Sequence, residues 1–293
     1  MLNRIEFLAW LGQRIGKPPG WERVVRRFAG PERFRGWPDV CLVRDGMAFI
    51  AQPAVPLSWN IALFGSYEPE LRSILSALLQ PGGVAVDVGA NVGWHTLLMA
   101  KKVGPTGKVL AIEANPSVGQ RLAENVVINC LTQVEIIPCA LADKPGILQF
   151  FGPANGDAES GNGFVMPSEN VPSSVKDVIT VKARTLDSVV VDADVKHVNV
   201  IKIDIEGYEW PVLQGATATI KKFRPHIIFE YVTEYAPRGG GMPADFIHFF
   251  ERHGYRLYAI GRNWNRQITL ATWPKCSDIW AMPMPREAIG VAS

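Results

Sequence analysis

A glycine-containing segment carries the first chemical signal in the chain. Residues 87–93 have the sequence Asp-Val-Gly-Ala-Asn-Val-Gly and lie between an apolar run typical of a buried strand and a predicted helix. Glycines at such a junction permit a tight turn and let a ligand approach the backbone N–H groups. A dinucleotide fingerprint would need a third glycine where Trp94 stands, and a Walker A loop is absent. The segment therefore predicts a ligand-binding loop that is not built for a pyrophosphate.

Acidic residues at the ends of two later strands form the second signal. Asp204 and Glu206 end the fourth predicted strand of the sheet, and Glu230 ends the fifth. Ligands of an open parallel sheet bind outside the carboxyl ends of its strands, so we expect the three carboxylates to converge there. Lys202 alternates with Asp204 and Glu206, which puts all three on one face while the chain stays extended. Such a group could accept a proton from a substrate.

A Mg²⁺ ion is the alternative use of these carboxylates, because hard oxygen ligands suit that ion. Asp204 and Glu230 would bind it, but Tyr231 stands where a further carboxylate would help. Mg²⁺ is therefore possible but not favoured, and we predict no metal site. The four cysteines contain no C-x-x-C pair, which argues against a zinc ribbon or a dithiol redox site and favours a reducing, cytoplasmic compartment.

Strands and helices alternate from Glu68 onward, which predicts an α/β fold with a doubly wound, mostly parallel, seven-stranded sheet. The seven strands are predicted at residues 84–88, 108–114, 134–141, 198–205, 227–232, 256–260 and 278–282. Helices are predicted at residues 70–79, 92–103, 116–129, 209–223 and 244–253. Residues 152–177 are rich in Gly, Ser, Pro, Asn and acidic residues, and predict an inserted surface loop between strand-like segments at 147–151 and 178–183.

The chain divides into an N-terminal extension, residues 1–65, and a main domain, residues 66–293. The extension predicts helices and a short hairpin near residues 40–50, and it could serve as a cap or as a dimerisation element, so a homodimer is possible. Apolar residues recur at helical spacing near its start, namely Ile5, Leu8, Leu11 and Ile15. That helix is expected to pack on the main domain or on a second subunit, and a membrane-surface helix is the alternative.

Charge and hydropathy exclude two classes of partner. The first 35 residues hold eight basic and three acidic residues, whereas the whole chain carries only +2. The main domain thus has none of the positive surplus that a nucleic-acid interface needs, and we predict no nucleic-acid partner. No apolar run approaches the ~20 residues that span a bilayer, so no transmembrane segment is expected.

The order of motifs resembles class I S-adenosylmethionine-dependent methyltransferases, which follow such a loop with an acidic residue at the end of the next strand, here Glu113. The second half narrows the resemblance. The blocks 201–209 (Ile-Lys-Ile-Asp-Ile-Glu-Gly-Tyr-Glu), 212–216 and 227–230 (Ile-Ile-Phe-Glu) are similar to the FkbM family of methyltransferases. That family acts mostly on hydroxyl oxygens of sugars, polyketides and related metabolites. The resemblance covers about residues 65–232.

This resemblance implies S-adenosylmethionine as the cofactor. Glu113 would accept hydrogen bonds from both ribose hydroxyls, the backbone near Gly89 would approach the methionine part with Asp87 supporting the loop, and Asp143 would accept from the adenine amine. The full set of implied cofactor-binding residues is Tyr67, Glu68, Asp87, Gly89, Ala90, Asn91, Gly93, Thr96, Glu113, Ala114, Asn115, Ala140, Leu141 and Asp143.

The predicted reaction is O-methylation of a small-molecule hydroxyl. An alcohol is a poor nucleophile until its proton is removed, so we expect Asp204 or Glu206 to act as the base and Glu230 to orient the substrate. N-methylation of a small molecule and a non-catalytic cofactor-binding scaffold are the alternatives. The Asn/Asp-Pro-Pro-aromatic motif of many base N-methyltransferases is missing after the fourth strand, and the intact loop argues against a scaffold.

Two further features have two interpretations each. His95, at the start of the helix after the loop, could contact the cofactor or substrate, or could be a structural histidine. The run from Arg238 to Gly241 follows the fifth strand and could be a mobile flap near the site or an ordinary connection.

Overall fold

The fold is described from a computed structural model. The structure describes residues 25–152 apart from residue 28, and residues 163–166, 178–261 and 266–285. The predicted N-terminal helix at Ile5–Ile15 lies outside these residues. Among the helices that the structure does describe, none has the length and apolar character needed to cross a lipid bilayer.

The described chain alternates strands and helices after an initial hairpin. The strands are β1 (Val40–Arg44), β2 (Met47–Ala51), β3 (Val84–Val88), β4 (Lys108–Ile112), β5 (Val134–Ile137), β6 (Ala140–Leu141), β7 (Gly146–Phe151), β8 (Phe164–Met166), β9 (Val178–Arg184), β10 (Val200–Ile203), β11 (His226–Val232), β12 (Tyr255–Ala259) and β13 (Cys276–Pro283). The helices are α1 (Pro56–Phe64), α2 (Pro69–Leu78), α3 (Trp94–Val103), α4 (Pro116–Ile128), α5 (Leu186–Asp192), α6 (Glu209–Gln214), α7 (Thr217–Phe223) and α8 (Pro243–Arg252).

Within the described residues, seven strands form the central sheet in the order β12-β13-β11-β10-β3-β4-β5. The neighbours from β11 through β10, β3 and β4 to β5 pair in parallel. The strand β13 runs antiparallel to both β11 and β12. The predicted α/β class and the parallel core are confirmed, and β13 makes the sheet mixed.

Helices cover both faces of this sheet because the side chains of the central strands alternate between two apolar cores. Val86 and Val88 of β3 pack into a core that includes residues of α5–α8. Ala85 packs into the other core, with residues of α2 and α3. Such burial on both faces is typical of central parallel strands, and it leaves the carboxyl edge of the sheet as the place where polar groups can collect.

Three predicted boundaries are wrong. The predicted strand 134–141 is two strands in different sheets, because Pro138 has no N–H for the ladder. The predicted loop 152–177 contains β8, which joins a four-stranded sheet of order β6-β9-β7-β8. The predicted helix 209–223 breaks into α6 and α7 at Gly215, where a Cβ would lie 2.1 Å from the carbonyl oxygen of Ala142.

The predicted hairpin near residues 40–50 is confirmed as β1 and β2, which pair antiparallel. Two side chains of α4 hold this hairpin. Asn125 is fully buried, accepts from the N–H of Ile50 at 2.7 Å and donates to the carbonyl of Val92 at 2.8 Å. Asn129 accepts from and donates to the backbone of Ala48. The side chain of Asn125 therefore ties the hairpin to the loop after β3. The division into two domains at residue 65 stays a prediction.

We expect Asn125→Ala to lower the free energy of unfolding by about 2 kcal/mol, because it leaves the Ile50 N–H and the Val92 carbonyl without partners. Asn60→Ala is the matched control, since Asn60 bonds only within the exposed turn of α1. Urea unfolding of both variants measures the difference. Equal losses in the two variants would contradict the role given to Asn125.

Candidate active site

A cavity opens at the carboxyl ends of β3, β4, β10 and β11, as the parallel topology predicts. Its walls combine the predicted residues with segments that sequence patterns did not indicate, at residues 55–57, 150 and 163–165. The predicted residues that line it are Tyr67, Glu68, Gly89, Ala90, Asn91, Glu113, Ala114, Asn115, Ala140, Leu141, Asp204, Glu206 and Glu230.

Four predicted cofactor residues lie outside the lining. Asp87 is fully buried and accepts from the hydroxyl of Thr96 at 2.6 Å, so both residues lie beneath the loop. Gly93 is the N-cap of α3 with a φ of 95°, and a Cβ there would lie 2.7 Å from Leu122. Asp143 is exposed on the turn after β6, and the structure does not bring it to the cavity wall.

The loop after β3 is pressed against the neighbouring strands. Gly89 has a φ of 74°, and a Cβ there would lie 2.0 Å from the carbonyl oxygen of Asp204. The N–H groups of Gly89 and Ala90 both donate to the carbonyl of Ile112, at 3.0 Å. The glycine is needed here for close backbone approach as well as for its dihedral angle.

Glu113 joins this loop to the end of β4. Its carboxylate oxygens accept from the N–H of Asn91 at 2.9 Å and the N–H of Asn115 at 2.8 Å. Burial raises the pKa of Glu113 to about 7, partly opposed by these backbone hydrogen bonds. A carboxylate has about four acceptor sites, so these bonds leave acceptor capacity for a ligand in the cavity.

Asp204, Glu206 and Glu230 converge, with one carboxylate oxygen of each within 4.8 Å of the others. The backbone does not stay extended up to Glu206 as predicted, because β10 ends at Ile203 and Glu206 has a left-handed φ of 58°. The predicted strand alternation therefore fails at Glu206. A turn brings it to the site, and Glu209 braces that turn by accepting from the N–H groups of residues 205 and 207, both at 3.1 Å.

The electrostatics of the cluster favour protons on two of its members. Burial raises the pKa of Glu230 to about 9, and the negative charges of Asp204 and Glu206 add to the effect. Burial and Asp204 raise the pKa of Glu206 to about 7. Neighbouring carboxylates cannot all ionise at low cost. The same spacing could also bind a hard divalent cation, so the expectation of a metal-free site stays a prediction.

Lys202 supplies the compensating positive charge. Its side chain is 3% exposed, and Nζ lies 3.2 Å from Asp204 Oδ2 and 3.6 Å from Asp87 Oδ1. Burial by itself lowers the pKa of Lys202, but Asp204, Asp87 and Glu68 outweigh burial and raise it overall. Lys202 is therefore charged, and its ion pairs connect β3 to the residue that follows β10.

Sequence reasoning missed a further carboxylate. Asp278 of β13 lies opposite Glu230 of β11 in the antiparallel register. Burial raises the pKa of Asp278 to about 7, and the charges of Glu68 and Asp204 contribute. No local motif could reveal this residue, because its position depends on β13 entering the sheet between β11 and β12.

His95 also lines the cavity. Its Nε2 lies 2.9 Å from Glu68 Oε2, and the ring is buried. Glu68 has a φ of 49°, and the preceding carbonyl of Tyr67 accepts from the indole N–H of Trp94 at 3.1 Å. The pair therefore joins the segment before α2 to the first turn of α3 at the cavity wall.

The sequence of this chain resembles those of known methyltransferases. Residues 87–257 match the model of the family described as the methyltransferase FkbM domain. The 2-O-methyltransferase NoeI of Sinorhizobium fredii is 28% identical over 174 residues, which cover 56% of this chain and 68% of that protein. The hexuronic acid methyltransferase AglP of Haloferax volcanii is 26% identical over 208 residues, 68% and 79% of the two chains. The crystal structure of methyltransferase FkbM from Methylobacillus flagellatus KT has a TM-score of 0.43 at 15% identity, covering 76% of this chain and 52% of that chain.

We expect Lys202→Met to lower the free energy of unfolding by about 3 kcal/mol or more, because it leaves Asp87 buried without a cation. The double variant with Asp87→Asn is expected to recover part of that loss. Lys196→Met, which removes an exposed ion pair with Asp194, is the control and should cost under ~1 kcal/mol. Chemical denaturation of the three variants provides the comparison, and equal losses for both single variants would refute a central role for Lys202.

The raised pKa of Glu230 predicts that the ligand-free protein loses stability as pH rises. Between the ordinary value of 4.5 and about 9, the folded protein holds a proton on Glu230 that the unfolded chain releases. Melting temperatures should therefore fall from pH 5 to pH 9, and less steeply in Glu230→Gln. The exposed Glu251→Gln is expected to keep the wild-type slope. An unchanged slope in Glu230→Gln would show that this carboxyl does not titrate as described.

Proposed function

The chain belongs to the FkbM methyltransferase family and is an S-adenosylmethionine-dependent methyltransferase, and from this premise we propose that it methylates a hydroxyl oxygen of a small metabolite such as a sugar. The observation that carries the proposal is the carboxylate cluster beside Lys202 at the glycine loop. Two relatives, a 2-O-methyltransferase and a hexuronic acid methyltransferase, support the acceptor class.

The cavity fits the cofactor that the family implies. Glu113 keeps acceptor capacity for the ribose hydroxyls, and the apolar residues Ile112 and Leu141 line the cavity beside it. Gly89 lines the cavity next to Asp204, where the methionine part would lie. Bound there, S-adenosylmethionine supplies an electrophilic methyl group on a sulfonium centre.

Asp204 is the base that the geometry favours. Asp204 lines the cavity, and Lys202 Nζ lies 3.2 Å from its carboxylate. Glu206 and Glu230 have raised pKa values of about 7 and about 9, so they hold protons more readily near neutral pH. We therefore assign proton removal from the acceptor hydroxyl to Asp204, and orientation of the acceptor to Glu230.

The polarity of this end of the cavity disfavours a strongly anionic acceptor. Carboxyl groups of Glu68, Asp204, Glu206 and Glu230 line it, and Lys202 is already engaged in two ion pairs. Carboxylates accept hydrogen bonds from hydroxyls, whereas they repel anionic groups at close range. A neutral polyol therefore suits the site better than a phosphorylated molecule.

The N-terminal extension takes part in the same cavity. Residues 55–57, the N-cap and first two residues of α1, line it. We infer that the extension acts as a cap that contributes to acceptor selection. Its role in dimer formation stays a prediction, and the size of the particle in solution would test it.

We expect Asp204→Asn to lower the turnover number by about 10²–10⁴-fold, because the acceptor hydroxyl loses its base. The assay uses radiolabelled S-adenosylmethionine with a panel of methyl glycosides of neutral hexoses, 6-deoxyhexoses and hexuronic acids, with and without EDTA. Calorimetric titration with S-adenosylhomocysteine should give a Kd within about threefold of wild type. Asp194→Asn, an exposed change near the start of β4, is the control.

Three outcomes would contradict the proposal. Near-normal turnover by Asp204→Asn would remove Asp204 as the base. Methylation of amines in preference to all of these glycosides would replace oxygen by nitrogen as the acceptor atom. Loss of turnover in EDTA, restored by Mg²⁺, would give the carboxylates a metal-binding role.

A further inference from the structure

Arg238 occupies an unusual position at the edge of the cavity. It ends a short 3-10 helix, Ala236–Arg238, that follows β11, the strand that carries Glu230. Its Nη1 donates to the carbonyl oxygen of Glu206 at 2.6 Å. The residue therefore contacts the backbone of the turn that presents one of the three clustered carboxylates.

The backbone of that turn adopts an uncommon conformation and is packed against a neighbouring segment. Glu206 and Gly207 both have left-handed backbone, with φ of 58° and 102°, and left-handed φ is uncommon for a residue with a side chain. A Cβ on Gly207 would lie 2.3 Å from the carbonyl oxygen of Tyr235, and one on Gly239 would lie 2.6 Å from the carbonyl oxygen of Gly207. The segment from Tyr235 to Gly239 is thus packed directly on the turn.

The guanidinium of Arg238 also contacts the four-stranded sheet that contains β8. It stacks on the ring of Phe164 at 3.9 Å and on the ring of Tyr235 at 4.2 Å. Phe164 stacks in turn on Phe151, with ring centroids 5.2 Å apart and planes 14° apart. Phe164 of β8 lines the cavity together with Glu206. A planar guanidinium can stack on two faces while its edge donates hydrogen bonds, so one side chain joins both walls.

We propose that Arg238 is a positioning and specificity-determining residue that holds β8 and the Glu206 turn together at the acceptor side of the cavity. We call this set of contacts, Glu206–Arg238–Phe164, the Arg238 bridge. The effect on acceptor recognition rests on the proposed function, whereas the structural bridge does not. The glycine loop and Glu113 make no part of it, so cofactor binding should be independent of Arg238.

Hydrogen–deuterium exchange tests the bridge without any substrate. In Arg238→Met, the amides of β7, β8 and residues 205–208 should exchange at least fivefold faster than in wild type, and those of β3 should be unchanged. Arg238→Lys keeps a charge and a donor and should recover part of the protection. The exposed Arg256→Met of β12 is the matched control and should leave all these rates unchanged. Unaltered exchange in β8 and residues 205–208 of Arg238→Met would overturn the proposal.

Kinetics test the effect on specificity. With the methyl glycoside that wild type methylates fastest, Arg238→Met should raise the KM for the glycoside at least tenfold and leave the KM for S-adenosylmethionine within twofold. Arg238→Lys should lie between the two. Phe164→Leu should add little in the Arg238→Met background, because the two side chains act through one contact. Additive losses, or equal changes in both KM values, would overturn the specificity role.

The two proposals fail separately. If wild type binds S-adenosylhomocysteine but methylates none of the glycosides, the proposed acceptor class is wrong, and amide exchange still decides whether Arg238 holds the two walls. If wild type methylates a glycoside and Arg238→Met retains normal exchange and normal KM, the bridge is wrong and the proposed function stands.

Discussion

The ion pairs of Lys202 with Asp87 and Asp204 are the interaction on which the site depends. They place one charged group between β3 and β10, the two adjacent strands that deliver the glycine loop and the proposed base. A buried ion pair need not stabilise a fold more than apolar residues would, but removal of one partner is costly. The two ion pairs matter here because Lys202 fixes the position of Asp204 relative to β3, the strand that leads into the loop. The close approach of Gly89 to the Asp204 carbonyl depends on the same alignment.

Support for the loop extends well beyond the sheet. Asn125 of α4 ties the hairpin to Val92. Arg72 of α2 donates to the carbonyl of Trp94 at 3.0 Å, and its guanidinium lies 4.1 Å from the centroid of the Trp94 indole ring. The loop is thus held by β10 on one side and by the N-terminal hairpin on the other. A site held from several elements retains its geometry when a ligand binds, which limits the entropy cost of binding.

Charge and topology together suit the proposed reaction. The parallel strands bring carboxyl groups of Asp204 and Glu230 to one edge of the sheet, and β13 adds Asp278. The carboxyl groups that line the cavity suit a cationic sulfonium group, and burial raises the pKa of Glu230 to about 9 in the ligand-free protein. The small net charge of the whole chain, +2, conceals this local character.

Local sequence patterns were sufficient for the family, the alternation of strands and helices, and the residues of the glycine loop, since each depends on neighbours along the chain. They were also sufficient to bring Asp204 and Glu230 together, because parallel strands share a carboxyl edge. Only the tertiary structure decided the route of Glu206, which reaches the site through left-handed backbone, and the exposure of Asp143. The position of Asp278 depends on β13 pairing with β11. The Arg238 bridge depends on contact between Phe164 and Arg238, which are 74 positions apart in the chain. Periodicity and motif spacing describe each segment by itself, and such contacts arise only when distant segments pack together.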